Sequence, residues 1–96
     1  MNQKIILEIL SSPGCVHCAE FKKYWESVKI QFPEVEMQEI DLTSDKGQEM
    51  VQEYMIMASP GVIINGELFS TGGVNKEKFE TKLKELQSQD KKVDEL

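Results

Sequence analysis

An apolar run that stops at Ser11-Ser12-Pro13-Gly14 and gives way to a helical pattern restricts this chain more than any other feature. Residues 4–10 carry Ile5, Ile6, Leu7, Ile9 and Leu10, broken only by Glu8, which suits a central strand buried on both faces. From Cys15 onward, Cys18, Phe21, Trp25 and Val28 recur three and four apart and place one helical stripe against a core. Phe32-Pro33 ends that helix.

The rest of the chain repeats the alternation. Val35, Met37 and Ile40 stand among Glu34, Glu36, Gln38 and Glu39, which predicts a half-exposed strand at a sheet edge. Thr43-Ser44-Asp45 offers capping side chains for a second helix with Met50, Val51 and Tyr54 on one face, weakened by Gly47. Val62-Ile63-Ile64 runs into Asn65-Gly66, a strong signal for a two-residue hairpin, and Glu67 to Ser70 form the return strand. After Gly72-Gly73, Asn75 caps a last helix with Phe79, Leu83 and Leu86 inside and Glu80 paired with Lys84 outside. The order is β-α-β-α-β-β-α, an α/β fold with a four-stranded mixed sheet flanked by three helices. A right-handed crossover makes the first two strands parallel, and the last two form an antiparallel hairpin.

All 96 residues are expected to form one domain, with 88–96 as a frayed polar tail. The net charge of −6 gives no footprint for nucleic acid or an anionic membrane. No apolar run approaches the roughly 20 residues of a membrane-spanning helix, and the start is not that of a secretory signal. These features point to a cytoplasmic protein. The final Val-Asp-Glu-Leu is similar to an endoplasmic reticulum retention signal, a chance likeness without an entry signal.

Two cysteines are too few for a disulfide scaffold, yet they sit three apart, at Cys15 and Cys18. In a reducing cytosol that spacing points to catalysis or metal binding. The strand-turn-helix pattern puts Cys15 at a helix N-terminus, where unpaired N–H groups and the helix dipole favour a thiolate. Free thiols near pKa 8.5 fall to roughly 3.5 to 7.5 at such places. Cys18 lies one turn further in, on the apolar stripe, and should stay protonated. That asymmetry suits two-step exchange, in which Cys15 attacks a substrate disulfide and Cys18 resolves the mixed disulfide. His17 stands between them and, as a cation, would stabilise the Cys15 thiolate and tune the pair.

The competing chemistry is a soft-metal site for Cu(I) or Zn(II), or a dimer bridging a metal or cluster through Cys15. A closed zinc site needs four ligands, and this chain has three Cys or His in total. Met50, Met55 and Met57, at near-helical spacing, read as gap-filling core rather than as ligands.

Ser12-Pro13-Gly14-Cys15-Val16-His17-Cys18, then Ser59-Pro60 leading into Val62-Ile63-Ile64-Asn65-Gly66, then Gly72-Gly73, resembles the thioredoxin and glutaredoxin family from Ile5 to Leu86. The resemblance implies a thioredoxin-like fold and a thiol-disulfide oxidoreductase whose cofactor is none beyond its own redox-active disulfide. It implies that Pro60 is cis beside the sulfurs, that the Ser59 backbone pairs with bound substrate, and that Gly72 and Gly73 complete the substrate site. Partners implied are a disulfide-bearing protein or a glutathione mixed disulfide, with a reductase or glutathione as electron donor, and a monomer as the working form. The chain departs from the family in lacking a tryptophan before the first cysteine, where Gly14 stands. Ile9 occupies the strand position at which thioredoxins carry a buried aspartate, and Glu8 beside it faces the other way. Val74-Asn75 stand where glutaredoxins hold glutathione with acidic or hydroxyl residues.

Overall fold

The computed structural model describes the backbone of residues 4–95 and the side chains of residues 4–88. Its elements run β1 (Ile5–Ser11), α1 (Val16–Val28), a 3-10 turn (Lys29–Gln31), β2 (Val35–Asp41), α2 (Asp45–Tyr54), β3 (Gly61–Ile64), β4 (Glu67–Thr71) and α3 (Lys76–Glu95). The sheet has the order β2-β1-β3-β4. β1 pairs parallel with β2 and antiparallel with β3, which pairs antiparallel with β4. This is the mixed sheet the alternation predicts, with β2 at an edge.

β1 is central because it is apolar on both faces. Ile5, Leu7 and Ile9 join Phe21 and Trp25 of α1 and Phe79 and Leu83 of α3 in one cluster, while Leu10 joins Ile40, Met50, Ile56 and Ile63 under α2. Phe79 lies at the middle of the first cluster, edge-on to Phe21 at 5.2 Å, Phe69 at 6.0 Å and Trp25 at 6.1 Å between ring centroids. Such edge-to-face pairs add about 0.5–1.5 kcal/mol each beyond their buried area. They seat α1, and therefore its N-terminus, firmly on the sheet.

The β3-β4 hairpin turns at Asn65 and Gly66, both at positive φ, 51° and 80°. Two positive φ values are what the favoured two-residue turn requires. Asn65 has a second use: its N–H donates to the Ile6 carbonyl at 2.8 Å, and its Oδ1 accepts from the Ile6 N–H at 2.9 Å. The turn therefore extends the β1-β3 pairing by one residue.

Several local expectations give way. Ile40 does not share a face with Val35 and Met37, which pack on the α1 and α3 side; it packs under α2, as strict alternation requires for an even-numbered residue of this strand. Gly47 is not simply a weak point of α2. A Cβ there would stand 2.9 Å from the Leu42 Cα and closer still to the Asp41 carbonyl oxygen, so glycine lets the helix start directly against the end of β2. Ser44 caps that start, its Oγ accepting the Gly47 N–H at 3.0 Å. Of the three methionines read as core, only Met50 is buried. Met55 ends α2 in the left-handed region and Met57 lies in the following loop, 79% and 92% exposed.

Glu80 takes the Tyr24 hydroxyl at 2.5 Å instead of Lys84, because Tyr24 packs beside Phe79 within reach of α3. That burial and the carboxylate hold the Tyr24 phenol well above its usual range. The last helix, α3, is drawn to Glu95, with no glycine or proline to interrupt it; residue 96 lies outside the described residues.

Candidate active site

Gly14, at a φ of 77°, turns the chain between β1 and α1. The Cys15 N–H then donates to the Ser12 carbonyl at 3.2 Å, and Cys15 becomes the residue that caps α1. Its Sγ accepts the Cys18 N–H at 3.1 Å, the place a serine or aspartate oxygen takes at an ordinary helix start. A sulfur held there faces the positive end of the helix, so the thiolate gains from both the hydrogen bond and the dipole. Cys18 is only 2% exposed, whereas Cys15 is half-buried at the surface. The two sulfurs are joined as a disulfide, with Cα atoms 5.3 Å apart, a separation one helical turn supplies without backbone movement.

The loop before β3 closes on this helix tip. Ser59 Oγ lies 3.4 Å from Cys15 Sγ, and the Ser59-Pro60 peptide bond is cis. Pro60 is buried, and its carbonyl accepts the Gly72 N–H at 3.0 Å, so the end of β4 braces the loop. Gly72 needs its freedom, standing at a φ of 77°. Thus Cys15, Ser59, Pro60 and Gly72 are linked in one place. Gly73 and His17 are not part of that chain of contacts. They share a separate depression with Val74 and Lys76, and His17 Nδ1 faces Glu20 Oε1 at 3.2 Å on the exposed side of α1. No group of three or more His, Cys, Asp or Glu side chains among the described residues is placed to hold a metal ion.

Cys15 and Cys18 also line an open groove on the β2 side, and its polar wall escaped the sequence reading. Ser11 Oγ and Lys22 Nζ both donate to Glu39 Oε2, each at 2.8 Å. Lys22 and Ser11 together hold the Glu39 carboxyl below the usual carboxylate range. Asp41, next along β2, is held low as well, by the Thr43 hydroxyl and N–H. The signal was present in the alternation: Val35 and Met37 set the inner face, and the next residue on that face is Glu39.

Residues 3–85 match a family model described as thioredoxin domain. A thioredoxin from Methanocaldococcus jannaschii is 36% identical over 75 residues, which span 77% of this chain and 86% of that protein. Among solved structures, an uncharacterized thioredoxin-like protein from Clostridium perfringens superposes with a TM-score of 0.71 at 16% identity, over 90% of this chain and 73% of the other. Fasciola hepatica thioredoxin superposes with a TM-score of 0.66 at 21% identity, over 88% and 82%.

Proposed function

The chain belongs to the thioredoxin family and is a thiol-disulfide oxidoreductase, and from that premise we propose that Cys15 is its nucleophile and Cys18 its resolving thiol. The observation that carries this reading is the unlike placement of the two sulfurs. Cys15 caps the helix, partly open and beside Ser59, while Cys18 is buried behind it. A thiolate at Cys15 attacks a substrate disulfide, releasing one substrate thiolate and leaving a mixed disulfide. Cys18 loses its proton and attacks Cys15 Sγ, which expels the second substrate thiolate. The substrate has gained two electrons and two thiols, and the protein holds the Cys15-Cys18 disulfide.

The cis Ser59-Pro60 loop is the substrate rest in this reading. Ser59 sits within reach of the reacting sulfur, and the Gly72 contact keeps the loop in place. Gly73 and His17 act at most from the neighbouring depression, with His17 as a tuning group. Substrates are disulfides of proteins rather than of glutathione. The groove beside the sulfurs carries Glu39 and Asp41 against the single cation Lys22, which disfavours a small anionic peptide. The electron donor is then a reductase, and the working form a cytoplasmic monomer.

The test is a pair of variants assayed on an oxidised protein such as insulin. Cys15→Ser is expected to abolish reduction, and Cys18→Ser to stop at a mixed disulfide that mass spectrometry detects. Reduction at the wild-type rate by Cys15→Ser would overturn the assignment. A faster turnover of glutathione mixed disulfides than of insulin would overturn the substrate class alone.

A further inference from the structure

The resolving step leaves a proton unaccounted for. Cys18 must give up its S–H proton before it can attack, yet at 2% exposure it is shut off from bulk water, and a thiol in apolar surroundings holds its proton. A base is needed on the side where Cys18 is accessible. Ile5, Leu7 and Ile9, the β1 residues clustered with Phe21 and Trp25 of α1, are apolar and buried, so that face of β1 offers none. Cys18 lines the groove together with Ser11, Lys22, Glu39 and Asp41.

Those groups come from three elements: Ser11 from β1, Lys22 and Cys18 from α1 with Cys15 at its cap, and Glu39 and Asp41 from β2; the loop residues Ser12, Pro13 and Gly14 complete the lining. Lys22 is a cation and cannot accept a proton. Asp41 is engaged through Oδ1 by both donors of Thr43. Glu39 differs in where its partners come from: Thr43 ties Asp41 to the turn after β2, whereas Ser11 of β1 and Lys22 of the cysteine-bearing helix tie Glu39 across the groove. Ser11 and Lys22 converge on one oxygen, Oε2, and none of the described hydrogen bonds engages Oε1. The carboxylate lines the groove with Oε1 unengaged among the described hydrogen bonds. Lys22 also stands four residues after Cys18, on the same face of α1, which aligns this clamp with the buried thiol.

Resting on the assignment of Cys18 as resolver, we propose that Glu39, positioned by Ser11 and Lys22, is the proton acceptor of the resolving step. As Cys18 sulfur bonds to Cys15 sulfur, its proton passes to Glu39, across water in the groove, and the bond from Cys15 to the substrate sulfur breaks with its electron pair leaving on the substrate. Glu39, now a carboxylic acid, releases the proton to solvent or to the departing thiolate. No oxidant or reductant beyond the substrate disulfide is involved. Lys22 and Ser11 hold the Glu39 carboxyl below the usual carboxylate range, so the proton is given up again and the carboxylate is restored for the next cycle.

The experiment separates the two steps. The reduced full-length protein is mixed with 5,5′-dithiobis(2-nitrobenzoate), and release of the coloured thiolate is followed by stopped flow. The first equivalent reports attack by Cys15 and the second reports resolution by Cys18. Glu39→Gln keeps the size and the hydrogen-bond acceptor but removes the base; it is expected to slow the second phase tenfold or more while the first stays within about twofold. Lys22→Met breaks the same ion pair from the other side but keeps the carboxylate. Its second phase should persist, with the acid-side inflection moved to higher pH because the carboxyl loses its cationic partner. An unchanged second phase in Glu39→Gln would overturn the proposal. So would equal slowing in both variants with no shift in the pH profile, which would make the pair a structural brace. Loss of the first phase in Cys15→Ser tests the underlying assignment separately, so the two failures are distinguishable.

Discussion

On the face of the sheet that carries α1 and α3, Phe21, Trp25, Phe32 and Phe79 fill the space, with Tyr24 and Phe69 at the margin. On the face that carries α2 the cluster is aliphatic and smaller: Leu10, Ile40, Met50, Ile56 and Ile63. The first helix is held by volume. The second is held by close backbone fit, with Gly47 against the end of β2, Ser44 at its start and Met55 in the left-handed conformation at its end. The reacting sulfurs sit on the helix backed by aromatic packing. Thiol exchange requires a fixed sulfur at a helix tip, and rigid rings beneath α1 supply that, whereas α2 bears no sulfur and needs only to cover the sheet.

Phe79→Ala is the strongest way to break this contrast. It removes the ring at the centre of the aromatic cluster and should cost about 3–5 kcal/mol, read as a lower urea midpoint. A loss no larger than that for an aliphatic deletion under α2 would show that the two faces are alike. Gly47→Ala comes next. In an open helix interior this change stabilises by up to about 1 kcal/mol, but here the new methyl group meets the backbone of Asp41 and Leu42. A loss of about 1–3 kcal/mol is expected, and a gain would remove the claim that α2 depends on backbone approach. Ser44→Ala sharpens the same point at about 1 kcal/mol, through the N–H of Gly47 left without its cap.

The smallest effect is electrostatic and belongs to the edge strand. Glu36, Glu39 and Asp41 all titrate below their ordinary values, the first two chiefly through Lys4 and Lys22, the third through Thr43. A depressed folded pKa means the folded state binds the proton more weakly than the unfolded chain does. The stability these groups lend is therefore in place above the ordinary carboxylate range near pH 4 and is lost as pH falls through their lowered values. Denaturation midpoints measured from pH 6 to pH 3 should fall over the lower part of that range, and added salt should shrink the share due to the two lysine pairs. A midpoint that rises on acidification would contradict the direction of all three shifts.

Much of this was legible in the chain. The apolar run of β1, the stripe from Cys18 to Trp25 and the Asn65-Gly66 turn each declare themselves within a few residues, because strand, helix and hairpin are local geometries with fixed periods. The pairing of Cys15 with Cys18 followed from the same local logic. What misled were residues whose meaning lies in a distant neighbour. Gly47 reads as a defect until the end of β2 is seen to pass beside it. Glu80 reads as a surface partner for Lys84 until Tyr24 arrives from α1, 56 residues away. Met55 and Met57 follow a helical spacing that α2 has already abandoned.

The sequence by itself determined the order of elements, the helix start at Cys15 and the buried place of Cys18, since these depend on turn chemistry and on side-chain period. The tertiary structure alone decided that Ser59 meets Cys15 and that Ser11, Lys22 and Glu39 meet one another beside the dithiol. Those meetings span 44, 28 and 17 residues. They are set by strand register and by how α1 lies across the sheet, and neither is encoded in the spacing of any single segment.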